Sequence, residues 1–141
     1  MNALYPTILS DSVAATKDFY VSLLELRTDF DSDWAVYLST PSNDAIKLAI
    51  VDRRHDSVPA PFQRAAAGVL ISVEVDDVDQ AWARAAALGA PVRQELRDEP
   101  FGQRHFMVSD PNGLLLDVIT PIPFSDGFLA EHGDSLHAPA V

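Results

Sequence analysis

A histidine and an aspartate, His105 and Asp117, fall in a stretch whose turn signal brings both onto one sheet face. The stretch runs from Gly102 to Pro121 and reads as two antiparallel strands joined by Asp110-Pro111-Asn112-Gly113. Pro111 supplies the fixed φ of a type I turn, and Gly113 supplies the left-handed residue that follows. With a G1 bulge at that turn, Asp110 and Leu114 are the last paired residues. Counting outward sets Met107 opposite Asp117 and His105 opposite Ile119. Phe106, Val108, Leu116 and Val118 share the other face, which is wholly apolar. An imidazole oriented by a carboxylate is suited to general-base work. The plainer role is that His105 and Asp117 satisfy each other or water on a half-wet sheet face.

Other side chains add to this cup-like face. Glu74 alternates with Leu70 and Ser72 on one strand face, and would act as a base if burial among Leu70 and Met107 raised its pKa. Otherwise it is a solvated carboxylate at a strand end. Tyr5, Trp34, Tyr37, Phe62 and Phe101 are candidate stacking surfaces for a planar or cationic ligand, with two or three of the five expected to line a site. Thr7 shares a face with Tyr5. Arg97 and Arg104 stand beside Asp98 and Glu99, which reads as a surface ion network before it reads as an anion site. A metal site assembled from Glu74, His105, Asp117 and His55 has no spacing that fixes three ligands together.

Composition removes several function classes. The net charge is −11, so the clustered basic residues that displace counterions from nucleic acid are missing. A cationic ligand suits such a field, as does a merely well-solvated surface. No apolar run approaches the roughly 20 residues that span a bilayer. The first residues lack the basic start and apolar stretch of a signal peptide. With no cysteine there is no thiolate site and no thiol nucleophile. A soluble cytoplasmic protein is expected, with neither nucleic acid nor membrane as partner. No nucleophile elbow or phosphate loop is present, and six glycines exclude a Gly-rich cradle.

The elements that must position these residues come in two copies of one unit. Alternation predicts a strand over Leu4–Ser10, with Pro6 marking an edge. Ser12 caps a helix to about Leu24, and three strands follow over Leu26–Phe30, Trp34–Thr40 and Ala45–Val51. An aperiodic connector, about residues 54–68, is a linker or a flap. Val69–Val75 then reads as a half-buried strand, and Asp77 with Gln80 as a capping box. Val78, Ala81, Trp82, Ala85 and Leu88 make a helical stripe stopped by Gly89. Ala90–Arg97 and the hairpin complete the second unit. An offset of 65 aligns Tyr5 with Leu70, Ser12 with Asp77, Val13 with Val78 and Leu23 with Leu88. Such a repeat means that neither half has a complete core of its own. After Pro123, Phe124, Phe128 and Leu129 fit a short helix packed on the body or on a second subunit, or a frayed end.

The tandem βαβββ units, the phrase Val75-Asp76-Asp77-Val78-Asp79 leading into a helix, and Asp110-Pro111-Asn112-Gly113 before Asp117 resemble the vicinal oxygen chelate superfamily. That group holds glyoxalase I, bleomycin-resistance proteins, fosfomycin-resistance enzymes and extradiol dioxygenases. The resemblance covers about Leu4 to Pro123. It implies a single α+β domain of curved, mostly antiparallel sheets around a cup, with helices on the outer face. It also implies metal ligands at four strand positions, which fall here on Tyr5, Leu70, Asp117 and either Ala49 or, with a two-residue slip, Lys47. Only Asp117 is an ordinary ligand, and catalytic metal sites generally use about three. No metal or other cofactor is therefore expected.

What the resemblance then implies is a metal-free small-molecule binder, similar to bleomycin-resistance members and to their role in antibiotic resistance. It would sequester an aromatic or cationic compound at the interface of its units or of a homodimer. The expected ligand-binding residues are Tyr5, Thr7, Trp34, Tyr37, Lys47, Phe62, Leu70, Ser72, Phe101, Met107 and Asp117. The alternative is a glyoxalase-like lyase or isomerase without the usual metal, moving a proton through Glu74 or His105.

Overall fold

The computed structural model describes residues 1–136. Unit one runs β1 (Thr7–Ser10), α1 (Val13–Leu24), β2 (Arg27–Asp31), β3 (Ala35–Thr40) and β4 (Asn43–Asp52). Unit two repeats the order as β5 (Leu70–Glu74), α2 (Val78–Leu88), β6 (Val92–Glu99), β7 (Gln103–Ser109) and β8 (Leu115–Pro121). A short α3 (Asp126–His132) follows. Each unit forms one four-stranded sheet, ordered β1-β4-β3-β2 and β5-β8-β7-β6. The first strand of each pairs in parallel with the last, and the remaining pairs are antiparallel.

The helices begin and end where local chemistry dictates. The side chains of Ser12 and Asp77 accept from the amides of Ala15 and Gln80, so each cap satisfies a donor of the first turn. Gly89 ends α2 at φ 65°, and Glu25 takes the same left-handed conformation after α1 without glycine's freedom. Val13, Thr16, Tyr20 and Leu23 of α1 are buried, as are Val78, Ala81 and Ala85 of α2. These stripes join Ile8, Val36, Ile50, Phe106, Leu116 and Val118 in one core cluster that spans both units. The units therefore share a core on their helix side, which leaves the opposite sheet faces to build a site.

Several boundaries differ from expectation. The first strand starts at Thr7, not Leu4: Pro6 still accepts from the Ala49 amide at 3.0 Å, but it has no donor to extend the ladder. Tyr5 therefore precedes the strand. The strand after α2 is displaced two residues, because the Ala90 amide closes the helix end on the Ala85 carbonyl. It also carries two irregularities in its pairing with β7, between Val92 and Gln94 and between Gln94 and Arg97. The connector is tied down: Gln63 donates to the His55 and Val58 carbonyls, and Arg53 reaches the Gln63 carbonyl.

Candidate functional site

The hairpin sets the register of the site. The Asp110 amide donates to the Leu114 carbonyl at 2.8 Å, and Gly113 sits at φ 81°. Met107 consequently pairs with Asp117 and His105 with Ile119. On the other side of β8, Asp117 lies beside Ser72 of the parallel β5. Leu70, Ser72, Glu74, His105, Met107 and Asp117 thus share the sheet face away from α2.

On that face His105 and Asp117 are 2.8 Å apart, Nδ1 to Oδ1, and only 3% and 5% exposed. The other ring nitrogen is occupied too. Nε2 lies 2.9 Å from the Gln94 amide nitrogen and 3.5 Å from a Glu99 oxygen. Glu99 also takes a hydrogen bond from Arg97 at 2.9 Å, so Arg97 and Glu99 flank the His105–Asp117 pair from β6. Phe101 stands edge-on to the imidazole with centroids 6.2 Å apart. With Gln94 donating to Nε2, the neutral ring carries its proton on Nδ1 and gives it to Asp117. Both nitrogens are engaged, which suits a braced recognition surface better than a mobile base.

Gln94 and Glu99 were not foreseen as partners of His105. Strict alternation along β6 does not place both of them there, because the two irregularities change which side chains face His105. No signal in the sequence marks those positions. The expected surface network does form around Arg104, which bonds Asp79 of α2 at 2.8 Å and Asp98 at 2.9 Å. Hydrogen bonding to Arg104 holds the Asp79 carboxyl below its usual range.

The remaining candidates separate into groups. Lys47, Ser72 and Glu74 line a hollow of about 330 Å³ between the units, whose walls include Leu24, Leu48 and Ile71. Leu70 lines a different hollow, with Val69 and Leu115. Glu74 is exposed, as follows from its place on an edge strand, so the burial that would make it a base is missing. Thr7 and Tyr5 are exposed at the free edge of sheet one. Tyr37 leans on Phe30, with centroids 5.7 Å apart. Trp34 stacks on His55 at 3.7 Å, so its face is already taken, and His55 is held there by Ser57. Phe62, in a 3-10 turn of the connector, is 60% exposed. The hollow between the units is lined by none of His105, Met107, Asp117 or Tyr37.

Register also decides which residue of unit one corresponds to Asp117. Asp117 pairs with Ser72, and its counterpart across from Thr7 is Ala49, not Lys47. The four ligand positions that the resemblance implies thus fall on Tyr5, Ala49, Leu70 and Asp117. Alanine and leucine have no donor atom, and one Asp117 oxygen is held by His105. Among the described residues no group of three or more His, Cys, Asp or Glu is placed to hold a metal ion. This donor set does not fit a divalent cation.

A profile of the Glyoxalase/Bleomycin resistance protein/Dioxygenase superfamily matches residues 4–118. The chain belongs to this superfamily. Solved structures of similar fold include TioX from Micromonospora sp. ML1, at 21% identity and a TM-score of 0.65 over 86% of this chain and 100% of that one. A lactoylglutathione lyase from Agrobacterium tumefaciens is 22% identical, with a TM-score of 0.64 over 85% of this chain and 94% of the other. A superfamily enzyme from Burkholderia phytofirmans PsJN reaches a TM-score of 0.70 at 16% identity, over 84% and 97%. At such identities the likeness is one of fold, and superfamily members differ in chemistry. No curated protein matches the chain.

Proposed function

We propose that this superfamily member is a metal-free binding protein that sequesters a small aromatic or cationic compound in the cytoplasm. The observation that supports the reading is the state of Asp117. Of the four ligand positions that the family resemblance implies, Asp117 is the one ordinary ligand, the others being Tyr5, Ala49 and Leu70, and His105 holds one of its oxygens at 2.8 Å. A braced carboxylate in an acidic chain suits attraction and orientation of a cation. Exposed Phe101 and partly buried Tyr37 offer ring surface. The ligand would be a toxic compound of the antibiotic kind, neutralised by burial with no bond made or broken.

The site would be completed by a second copy of the chain. The sheet-two residues and Tyr37 of sheet one do not meet in the hollow between the units, so a homodimer would oppose the free faces of two copies. No helix among the described residues is long and apolar enough to cross a membrane, in keeping with action in solution.

The competing reading is a lyase or isomerase without the usual metal. Its carrier would be Glu74, since both nitrogens of His105 are engaged and Glu74 alone of the two is open to a substrate. Metal analysis of protein purified without chelator, with thermal shifts against divalent ions and aromatic cations, separates the two. Stabilisation by an aromatic cation without bound metal supports sequestration. Stabilisation by a divalent ion alone overturns it.

A further inference from the structure

The hollow between the units carries two charges of opposite sign that do not answer each other. Lys47 of β4 and Glu74 of β5 both line it, yet no ion pair joins them, and neither has a charged partner among the described residues. Between them the walls are mostly apolar, formed by Pro6, Leu24, Leu26, Leu48, Ile71 and Val73. The volume of about 330 Å³ lies within the range of small-molecule pockets.

The strand bounding the hollow adds backbone groups. β5 is the edge of its sheet. The Val75 amide donates to the Ile119 carbonyl, and the Val75 carbonyl accepts from the Thr120 hydroxyl, so odd-numbered residues turn their backbone toward β8. In a parallel ladder the alternate residues then present N–H and C=O outward, which aims those of Ser72 and Glu74 at the hollow. The charges also have a direction. Next to Glu74 a larger groove is lined by Asp76 and Asp77, and its Glu25 and Arg84 pair with each other at 3.4 Å. The Glu74 end is therefore the negative pole and the Lys47 end the positive one.

We infer that this hollow binds a small amphoteric molecule of the amino-acid or dipeptide class, with its ammonium at Glu74, its carboxylate at Lys47 and an apolar body between. The extended backbone of a dipeptide meets the open edge of β5 as an added strand does. The inference goes beyond the proposed sequestration: it assigns a second site, in the hollow and not on the Asp117 face, to a ligand that bears both charges.

Calorimetric titration with leucyl-leucine tests it, beside N-acetyl-leucyl-leucine and leucyl-leucinamide, which each lack one charge. The unblocked dipeptide should bind, and each blocked form should bind roughly tenfold or more weakly, since each loses a charge-assisted hydrogen bond. Lys47→Met should weaken leucyl-leucine but not leucyl-leucinamide, and Glu74→Gln should weaken leucyl-leucine but not the acetylated form. Both side chains are exposed, so both variants should fold, and Glu131→Gln on α3 controls for lost surface charge. Equal binding of all three peptides, or binding of none, overturns the inference. Titration with benzyltrimethylammonium distinguishes the failures. If it binds while the peptides do not, the inference falls and sequestration stands; if nothing binds, both fall.

Discussion

The Tyr20 hydroxyl donates to Asp110 Oδ2 at 2.9 Å, joining the first helix of one unit to the turn of the other unit's hairpin. Both side chains are buried. Asp110 also accepts the amides of Asn112 and Leu114 at 2.8 and 2.9 Å, and Asn112 reaches Thr16 of α1 at 3.0 Å. The turn that sets the hairpin register is thus also the bolt between the two units. Tyr20→Phe should keep the fold and cost about 1–3 kcal/mol by urea unfolding, because a buried carboxylate oxygen loses the closer of its two donors, keeping only Asn112 at 3.4 Å.

The same contact predicts a pH dependence. Burial, then the charge of Asp110 and its hydrogen bond, push the Tyr20 phenol well above its usual 10.0. The folded pKa is raised, so the contribution is complete below the ordinary tyrosine value and declines as pH rises past it. Unfolding curves from pH 8 to 11 should converge for wild type and Tyr20→Phe toward the alkaline end. A gap that widens with pH would contradict this assignment.

His105 and Asp117 make a second measurable pair. Asp117→Ala leaves a buried imidazole nitrogen without its acceptor and should cost about 1–3 kcal/mol. Nitrogen NMR of the neutral ring should find the proton on Nδ1 in wild type. A ring protonated on Nε2 would reverse the hydrogen-bond pattern described for Gln94.

The inherited metal corner can be rebuilt. Tyr5→His with Leu70→His and Ala49→Glu puts donor groups at the other three ligand positions that the family resemblance implies. If the backbone retains the family arrangement, a divalent ion at about 100 times its dissociation constant should stabilise this variant by about 2.7 kcal/mol. Wild type should show no such gain in the same thermal assay. A wild-type gain of equal size would contradict the metal-free reading.

Gly102 tests how the tail is seated. It sits at φ 86°, and a Cβ there would meet the Ile122 carbonyl and the Phe124 ring at 3.0 Å. Gly102→Ala should destabilise the protein by about 1–3 kcal/mol through a strained backbone. Phe124 stacks on Phe128 of α3 with centroids 5.1 Å apart. Proteolysis should therefore cut the tail of Gly102→Ala faster than that of wild type, and equal rates would separate this turn from the seating of α3.

Much was written locally. The alternation of Val69–Val75, the caps at Ser12 and Asp77, the stop at Gly89 and the turn at Asp110–Gly113 each follow from one or two residues and their backbone preferences. They fix the two βαβββ units and the facing of Met107 on Asp117. The same local information shows that Leu70, and either Ala49 or Lys47, offer a metal nothing, whichever way the sheets pack.

Tertiary structure alone decided the rest, because those contacts join residues that local patterns cannot align. Asp110 looks like an ordinary turn residue until Tyr20, 90 positions away, meets it. Gln94 joins Glu99 beside His105 only because β6 departs from a period of two between Gln94 and Arg97. Lys47 and Glu74 lie on different sheets, and it is the shared helix-side core that brings them to the walls of one hollow. Side-chain type and backbone preference act over a few residues, whereas the spacing of two charges on separate sheets depends on how the whole core packs.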